Sequence, residues 1–127
     1  MNDEGQLGLG DYGNRSTPTN VSDLGGVIQV GLGLDHSCAL LEDQTIKCWG
    51  RNDFGQLGDG SFTNKSTPTS VIKEYDYGQL GDGSSTNKST PQSVISLGGG
   101  NIIQVALGGF HTCALLEYQT IQMLGKE

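Results

Sequence analysis

Residues 27–60 read VIQVGLGLDHSCALLEDQTIKCWGRNDFGQLGDG, and this stretch decides the fold. It begins with the apolar, β-branched segment 27–30, which is typical of a buried strand. It ends at 55–60 with GQLGDG, where the glycines supply the positive φ angles of tight turns at no steric cost. No segment of the chain shows sustained helical periodicity, so the pattern predicts an all-β protein.

The middle of this stretch predicts a β-hairpin. Two short apolar segments, 38–41 and 45–49, are separated by three polar residues, a length typical of hairpin connections. With those three residues as the loop, Cys38 is expected to lie directly opposite Cys48.

The same elements recur along the chain. The motif GQLG-x-G begins at Gly5, Gly55 and Gly78, and each copy leads into a Ser-Thr-Pro element. The hairpin sequence occurs twice, at 35–50 and 110–125, with 10 of 16 residues identical. The elements add up to about four short strands in about 50 residues, which is the pattern of a β-propeller blade. Each Ser-Thr-Pro element is expected to begin an edge strand, a position that proline tolerates.

The spacing of the copies divides the chain into three units. Gly5 and Gly55 are 50 residues apart, whereas Gly55 and Gly78 are only 23 residues apart. The middle unit therefore has its turn and its Ser-Thr-Pro element but lacks the hairpin. We predict one partial propeller over 1–127, made of a full unit (5–54), a truncated unit (55–77) and a full unit (78–127).

These repeats resemble those of the regulator-of-chromosome-condensation family. The resemblance rests on residues 27–60, on IIQVALGGFHTCALL at 102–116 and on each GQLG-x-G motif. It implies four-stranded antiparallel blades of a β-propeller, seven of which usually close a ring, so this chain is expected to be an incomplete, open fragment. The following recurrent residues are expected to have structural roles in the repeat: Gly5, Gly8, His36, Trp49, Gly55, Gly58, Gly78, Gly81 and His111.

The resemblance implies several functions. The founding member is an exchange factor for the small GTPase Ran, and relatives act as binding scaffolds, ubiquitin-ligase accessory domains or secreted bacterial proteins. No residue here matches an exchange-factor wedge, so the sequence favours a non-catalytic protein-binding scaffold with no cofactor. The alternatives are an exchange factor for a Ran-like GTPase and a secreted or cell-surface repeat protein.

The charge and hydropathy of the chain indicate which classes of partner, and which compartment, are expected. A net charge of −7 disfavours direct binding to nucleic acid, which needs clustered Lys and Arg. An acidic loop surface would instead attract a basic protein. The first residues do not have the pattern of a signal peptide, so no leader is expected, and no apolar run is long enough to span a membrane. The chain is therefore expected in the cytoplasm or nucleus, or outside the cell if it belongs to an exported protein.

The cysteines leave two alternatives open. Cys38 and Cys48 form either a cross-strand disulfide in an oxidising compartment or a pair of reduced, buried thiols. In the second hairpin Met123 takes the position opposite Cys113, so Cys113 is expected to be a buried free thiol.

The histidines and turn acids are interpreted as structural. A zinc site needs about four ligands, and one repeat offers at most His36 and two cysteines. His36 and His111 are therefore expected to bond to blade backbone, and no metal or catalytic residue is predicted. Asp59 and Asp82 are interpreted as turn residues and not as calcium ligands, because the further oxygen ligands of a calcium loop are missing.

An open fragment of a ring is expected to expose the faces of its terminal blades. Those faces are normally buried against neighbours, so the isolated chain is expected to self-associate, with three copies approximating a ring. The larger aromatic residues are interpreted as packing between blades, namely Trp49, Phe54, Phe62 and Tyr77.

Overall fold

Eight β-strands form the regular structure of the described residues, which are 1–71, 88–93, 101–117 and 121–125 of a computed structural model. For 88–93 and 121–125 the structure describes the backbone alone. The strands are β1 (Val27–Leu32), β2 (His36–Leu41), β3 (Ile46–Gly50), β4 (Lys65–Ser70), β5 (Lys88–Ser93), β6 (Ile102–Leu107), β7 (His111–Leu116) and β8 (Ile121–Gly125). Within these ranges no helix is long and apolar enough to cross a membrane.

The strands form two antiparallel sheets of four strands each. The first sheet has the order β1-β2-β3-β4, and the second has the order β5-β8-β7-β6. Each sheet is built around one of the two hairpins that the sequence contains. This confirms the predicted all-β class and the four-stranded antiparallel blades.

The first hairpin has the predicted register. Cys38 lies directly opposite Cys48, and the backbone N–H of Leu41 donates to the carbonyl of Thr45 at 2.9 Å. Gln44, the last loop residue, has a φ of +65°, the left-handed conformation that typically closes a three-residue hairpin loop. In the second hairpin Met123 lies opposite the free Cys113, as expected.

The Ser-Thr-Pro elements differ in detail from the prediction. β4 and β5 are outer strands of their sheets, as expected, but Pro68 and Pro91 are each the fourth residue of the strand and not the first. The pairing of β3 with β4 shifts register between Cys48 and Gly50. This irregularity leaves Pro68 outside the paired positions, so its missing N–H removes no ladder hydrogen bond.

The first Ser-Thr-Pro element forms no strand, contrary to the prediction. The other two copies pair with the last strand of a hairpin, β4 with β3 and β5 with β8. The sequence contains three such elements but only two hairpins, so residues 16–18 find no hairpin strand to pair with. An unpaired segment of this kind stays at the surface, and residues 10–20 are all exposed.

The two outer strands differ in their position along the chain relative to the hairpin that each one completes. β4 follows the hairpin that it completes, whereas β5 precedes the hairpin that it completes. Because the sequence of the middle unit lacks a hairpin, the next described strand after β4 is β5. The sheet topology uses both strands, one for each sheet, while the three unit boundaries stay predictions.

The main apolar core lies between the two sheets. β1 and β2 pack against β6. The buried residues of this core come from both sheets and from the turn after β3: Cys38, Leu40, Ile46, Cys48, Leu57, Val105 and Ala114. A smaller cluster of Ala39, Leu41 and Trp49 lies on the other face of the first sheet, against Leu24.

Of the two states that the sequence leaves open for the cysteine pair, the structure contains the disulfide. In the structure Cys38 and Cys48 are joined as a disulfide, with their Cα atoms 4.1 Å apart and both side chains fully buried. We expect thiol titration of the chain unfolded without reductant to count one free thiol per chain, from Cys113. A count of three would show that the pair is reduced.

Candidate binding surface

A buried asparagine organises the turn that follows β3. The Oδ1 atom of Asn52 accepts from the backbone N–H of Leu57 at 3.0 Å. Its Nδ2 atom donates to the carboxylate of Asp59 at 3.1 Å and to the carbonyl of Ser61 at 3.0 Å. Asn52 is completely buried, so these bonds fix the turn and the loop that follows it.

The first turn repeats this arrangement. Asn2 is also completely buried, accepts from the N–H of Leu7 at 2.8 Å and donates to the carbonyls of Asp11 and Gly13. Sequence reasoning did not assign a role to either asparagine. The signal was present, because Asn2-Asp3 and Asn52-Asp53 stand at the same position before GQLG.

Each turn is fixed to a sheet by the backbone carbonyl of its glutamine, Gln6 or Gln56. The carbonyl of Gln6 accepts from the Ser37 hydroxyl and from the Trp49 indole N–H, both at 2.9 Å. The carbonyl of Gln56 accepts from the Thr112 hydroxyl at 2.8 Å. The first turn therefore lies on the first sheet, and the second turn bridges from the first sheet to the second.

Most of the predicted structural glycines adopt conformations that other residues rarely adopt. Gly5, Gly8, Gly55 and Gly58 all have φ between +65° and +78°. Gly8 also packs directly on the indole of Trp49, where a Cβ atom would lie 2.7 Å from Nε1. The same role was predicted for Gly78 and Gly81, which lie outside the described residues.

Two aromatic side chains project from the loops after these turns. Tyr12 is 55% exposed and Phe62 is 51% exposed, and the two residues stand seven positions after Gly5 and Gly55 respectively. The expectation that Phe62 packs between blades is therefore wrong, because the network around Asn52 holds its loop at the surface. We call Tyr12 and Phe62 the aromatic loop pair.

Among the other described aromatic residues, Phe54 and Phe110 are half-buried at the contact between the two sheets, which we call the joint, and Trp49 is buried beneath the first turn. Phe54 packs edge-to-face on Phe110 across the two sheets, with ring centroids 5.1 Å apart. The guanidinium of Arg51 lies 5.5 Å and 5.7 Å from the two ring centroids. This contact agrees with the expected inter-blade packing of Phe54. Trp49 packs instead against the first turn of its own sheet, and Tyr77 lies outside the described residues.

The acidic residues of the loops mostly have local partners. Burial would raise the pKa of Asp59, but hydrogen bonds from Ser61 and Asn52 and the charge of Lys65 hold it below the ordinary value. Hydrogen bonds from Arg15 and from the N–H of Gly13 likewise lower the pKa of Asp11. Asp59 thus acts as a turn residue, in agreement with the sequence interpretation. Asp82 lies outside the described residues.

The predicted structural histidine has a different partner from the one expected. The Nε2 atom of His36 lies 3.0 Å from the hydroxyl of Thr112 on the other sheet, so its contact is with a side chain across the joint and not with backbone. Its ring lies against Gly33, where a Cβ atom would approach Cε1 to 2.4 Å. His111, the equivalent residue of the second sheet, lies in the same way against Gly108.

Protonation of His36 is expected to weaken the joint between the sheets. Burial, together with the nearby charge of His111 and against the opposing charge of Asp35, lowers the pKa of His36 to about 4. The unfolded chain therefore binds a proton more readily than the folded chain between about pH 6.5 and pH 4, so stability falls as the pH falls through this window. We expect a loss on the order of 1–2 kcal/mol between pH 7 and pH 5, measured by urea unfolding. The same comparison with His36→Gln should show a flatter dependence, and an equal slope would contradict the assignment.

Neither a metal-binding cluster nor a full ligand set for zinc is found within residues 1–71 and 101–117, where side chains are described. The thiol of Cys113 is half-buried, and burial raises its pKa, which disfavours the reactive thiolate.

Comparison with known proteins agrees with this architecture. Two models of the regulator of chromosome condensation (RCC1) repeat match the chain, one at residues 27–56 and the other at 1–40, 48–75 and 74–115. Human WBSCR16 is similar in structure, with 27% identity and a TM-score of 0.70. Prp20p of Saccharomyces cerevisiae, studied with its binding to Gsp1p and histones, has 24% identity and a TM-score of 0.62. Yeast Prp20 bound to Kap60 has 16% identity and a TM-score of 0.56.

These similarities also define how much of a propeller the chain represents. Each covers 98% of this chain, but only 27% of the WBSCR16 chain, 27% of the first Prp20p chain and 38% of the second. The chain therefore spans about a quarter of the length of the first relatives and matches part of their ring. The repeat models, the paired turns and the two four-stranded sheets together show that the chain belongs to the regulator of chromosome condensation (RCC1) repeat family.

Proposed function

We propose that this chain is a non-catalytic protein-binding module that uses its turn loops to bind a basic protein. The observation that carries the proposal is the aromatic loop pair, Tyr12 and Phe62, exposed at the same repeat position on adjacent loops. Exposed aromatic side chains on fixed loops are typical of binding surfaces, because they offer a large contact area with little loss of rotamer entropy.

The two loops are held side by side before any partner binds. The Nδ2 atom of Asn64 donates to the carboxylate of Glu4 at 2.5 Å, and the N–H of Gly10 donates to the carbonyl of Ser66 at 2.8 Å. These bonds join the first loop to the second and to β4. A surface fixed in this way loses little conformational entropy on binding, which favours affinity.

The charge of the chain supports a basic partner. The net charge of −7 raises the association rate of a positively charged protein and repels acidic ones. Arginine side chains also bind well on aromatic faces such as those of the loop pair. Among the similar proteins, Prp20p has been studied for binding to histones, which are strongly basic.

The test is isothermal titration of the chain with purified core histones. We expect binding that weakens as the salt concentration rises, and at least a tenfold loss of affinity in the double variant Tyr12→Ala/Phe62→Ala, a size typical of interface anchors. Ile103→Ala is the matched control, because Ile103 is equally exposed, at 55%, but lies on the second sheet. Absence of histone binding, or an equal loss in both variants, would refute the proposal.

An exchange factor for a Ran-like GTPase is the second candidate. It is favoured by the similarity to Prp20p, whose binding to Gsp1p has been studied. The two candidates are separated by the release of a fluorescent nucleotide from loaded Gsp1p in the presence of this chain. We expect no acceleration, and substantial acceleration would replace the scaffold proposal with the exchange reaction.

A further inference from the structure

The joint between the two sheets brings together two different faces. The first sheet contributes Gln29, whose side-chain amide bonds to both backbone groups of Val105 in β6, at 3.1 Å to the carbonyl and 3.0 Å from the N–H. Gly31 leaves room for Leu107, whose Cδ1 atom would lie 2.5 Å from a Cβ at that position. The joint is thus specified by backbone contacts as well as by apolar packing.

Because the two sheets are built from repeated sequences, each sheet has residues equivalent to both faces of the joint. Aligning β1 with β6 and β2 with β7 identifies the equivalent residues. The joint face of the first sheet contains Gln29, Gly31 and His36, and its copy on the second sheet, the donor face, contains Gln104, Ala106 and His111. The joint face of the second sheet contains Val105, Leu107 and Thr112, and its copy on the first sheet, the acceptor face, contains Val30, Leu32 and Ser37.

Val30 and Leu32 of the acceptor face are exposed where their copies are covered, whereas Ser37 is buried like its copy Thr112. Val105 in the joint is only 3% exposed, whereas the equivalent Val30 is 60% exposed and Leu32 is 74% exposed. A groove of about 480 Å³ adjoins this face, and its lining includes Leu32, Ser37 and Trp49. Val30 and Leu32 are neighbours on one face of β1, and a contiguous exposed apolar patch of this kind typically marks an interaction site.

We propose that the acceptor face binds the donor face of a second copy of this chain, head to tail, in the geometry of the internal joint. In this contact the side chain of Gln104 bonds to the backbone of Val30 of the second copy. His111 approaches the hydroxyl of Ser37, as His36 approaches that of Thr112. Ser37 donates to the carbonyl of Gln6, as Thr112 donates to that of Gln56, so the lone pairs of both hydroxyl groups face the incoming histidine.

One difference between the faces makes the contact between copies weaker than the internal joint. Ala106 replaces Gly31, and a methyl group at Gly31 would meet the end of the Leu107 side chain. The equivalent Leu32 of the second copy must therefore rotate to accommodate Ala106. Leucine side chains tolerate such a shift at modest cost, so the contact weakens but is not abolished. We expect Ala106→Gly to tighten association by about threefold to tenfold.

Sedimentation velocity over a range of concentrations tests the proposal. The unmodified chain should form dimers and larger species as its concentration rises, since a head-to-tail contact can be repeated. Val30→Asp removes the acceptor face and Ala106→Asp removes the donor face, so each variant alone should remain monomeric. An equimolar mixture of the two should form a one-to-one dimer through the intact faces.

Controls separate this contact from folding and from the proposed function. Circular dichroism and Trp49 fluorescence should show that both aspartate variants are folded, as expected for substitutions at exposed positions. Tyr12→Ala/Phe62→Ala should associate like the unmodified chain, so a failure of histone binding leaves this proposal intact. A monomeric unmodified chain, association of either aspartate variant alone or a monomeric mixture would each overturn it.

Discussion

Gly50→Ala is expected to destabilise the first sheet by about 3–5 kcal/mol, a large share of the stability of a small domain. Gly50 is buried, has a φ of +105° and ends β3 where the pairing with β4 becomes irregular. A Cβ atom there would lie 2.5 Å from the carbonyl oxygen of Asp35 and 2.8 Å from the Cα of His36. Both are backbone atoms at the start of β2, the strand that pairs with β3, so neither can move without disrupting the hairpin.

Urea unfolding followed by fluorescence of Trp49 measures this loss. Trp49 is the single tryptophan of the chain and precedes Gly50, so it reports on the affected strand. Gly25→Ala is the matched control, because no atom lies within 4 Å of a Cβ at Gly25. We expect the control to be neutral or stabilising by up to about 1 kcal/mol. Similar losses in the two variants would contradict the structural role of Gly50.

Leu57→Ala is expected to cost about 2–5 kcal/mol, because it opens a cavity in the core between the sheets. Leu57 is completely buried and comes from the turn that bridges the two sheets. Since its N–H is held by Asn52, the turn cannot easily collapse into the space left by the side chain. We expect a lower urea midpoint and a weaker docking of the two sheets.

Leu7→Ala gives the comparison for this prediction. Leu7 stands at the same repeat position as Leu57 and makes the same bond to its asparagine, but it is only half-buried. Leu7→Ala should therefore lower the free energy of unfolding by less than Leu57→Ala, because the side chain of Leu7 buries less apolar area on folding. An equal loss at the two positions would show that the repeat position, and not burial in the joint, sets the energy.

The hairpins were predictable because their determinants are local. Cys38 lies opposite Cys48 because a three-residue loop fixes the register, and Gln44 adopts the conformation that such a loop needs. The repeated turns were predictable for the same reason, since glycine alone adopts positive φ without strain. The roles of Asn2 and Asn52 were not assigned, although their repeat position signalled them, because a single sequence does not show which polar residue will be buried.

Contacts between segments that are distant in the sequence could not be predicted from local sequence patterns. Phe62 and Phe54 are the same residue type and lie eight residues apart, yet Phe62 is exposed while Phe54 packs on Phe110. His36 was assigned to backbone, but its partner Thr112 is 76 residues away. The first Ser-Thr-Pro element has the same sequence as the other two and still forms no strand, because a strand requires a partner and not only a propensity.

The sequence by itself determined the units from which this protein is built. The 50-residue period, the hairpin register and the glycine turns follow from side-chain alternation and backbone sterics, which act over a few residues. The tertiary structure decided how these units pair. It selected β5 as the outer strand of the second sheet, buried Val105 in the joint and left the equivalent Val30 exposed. Identical repeat positions acquire different environments because burial depends on the neighbouring blade, which no single repeat encodes.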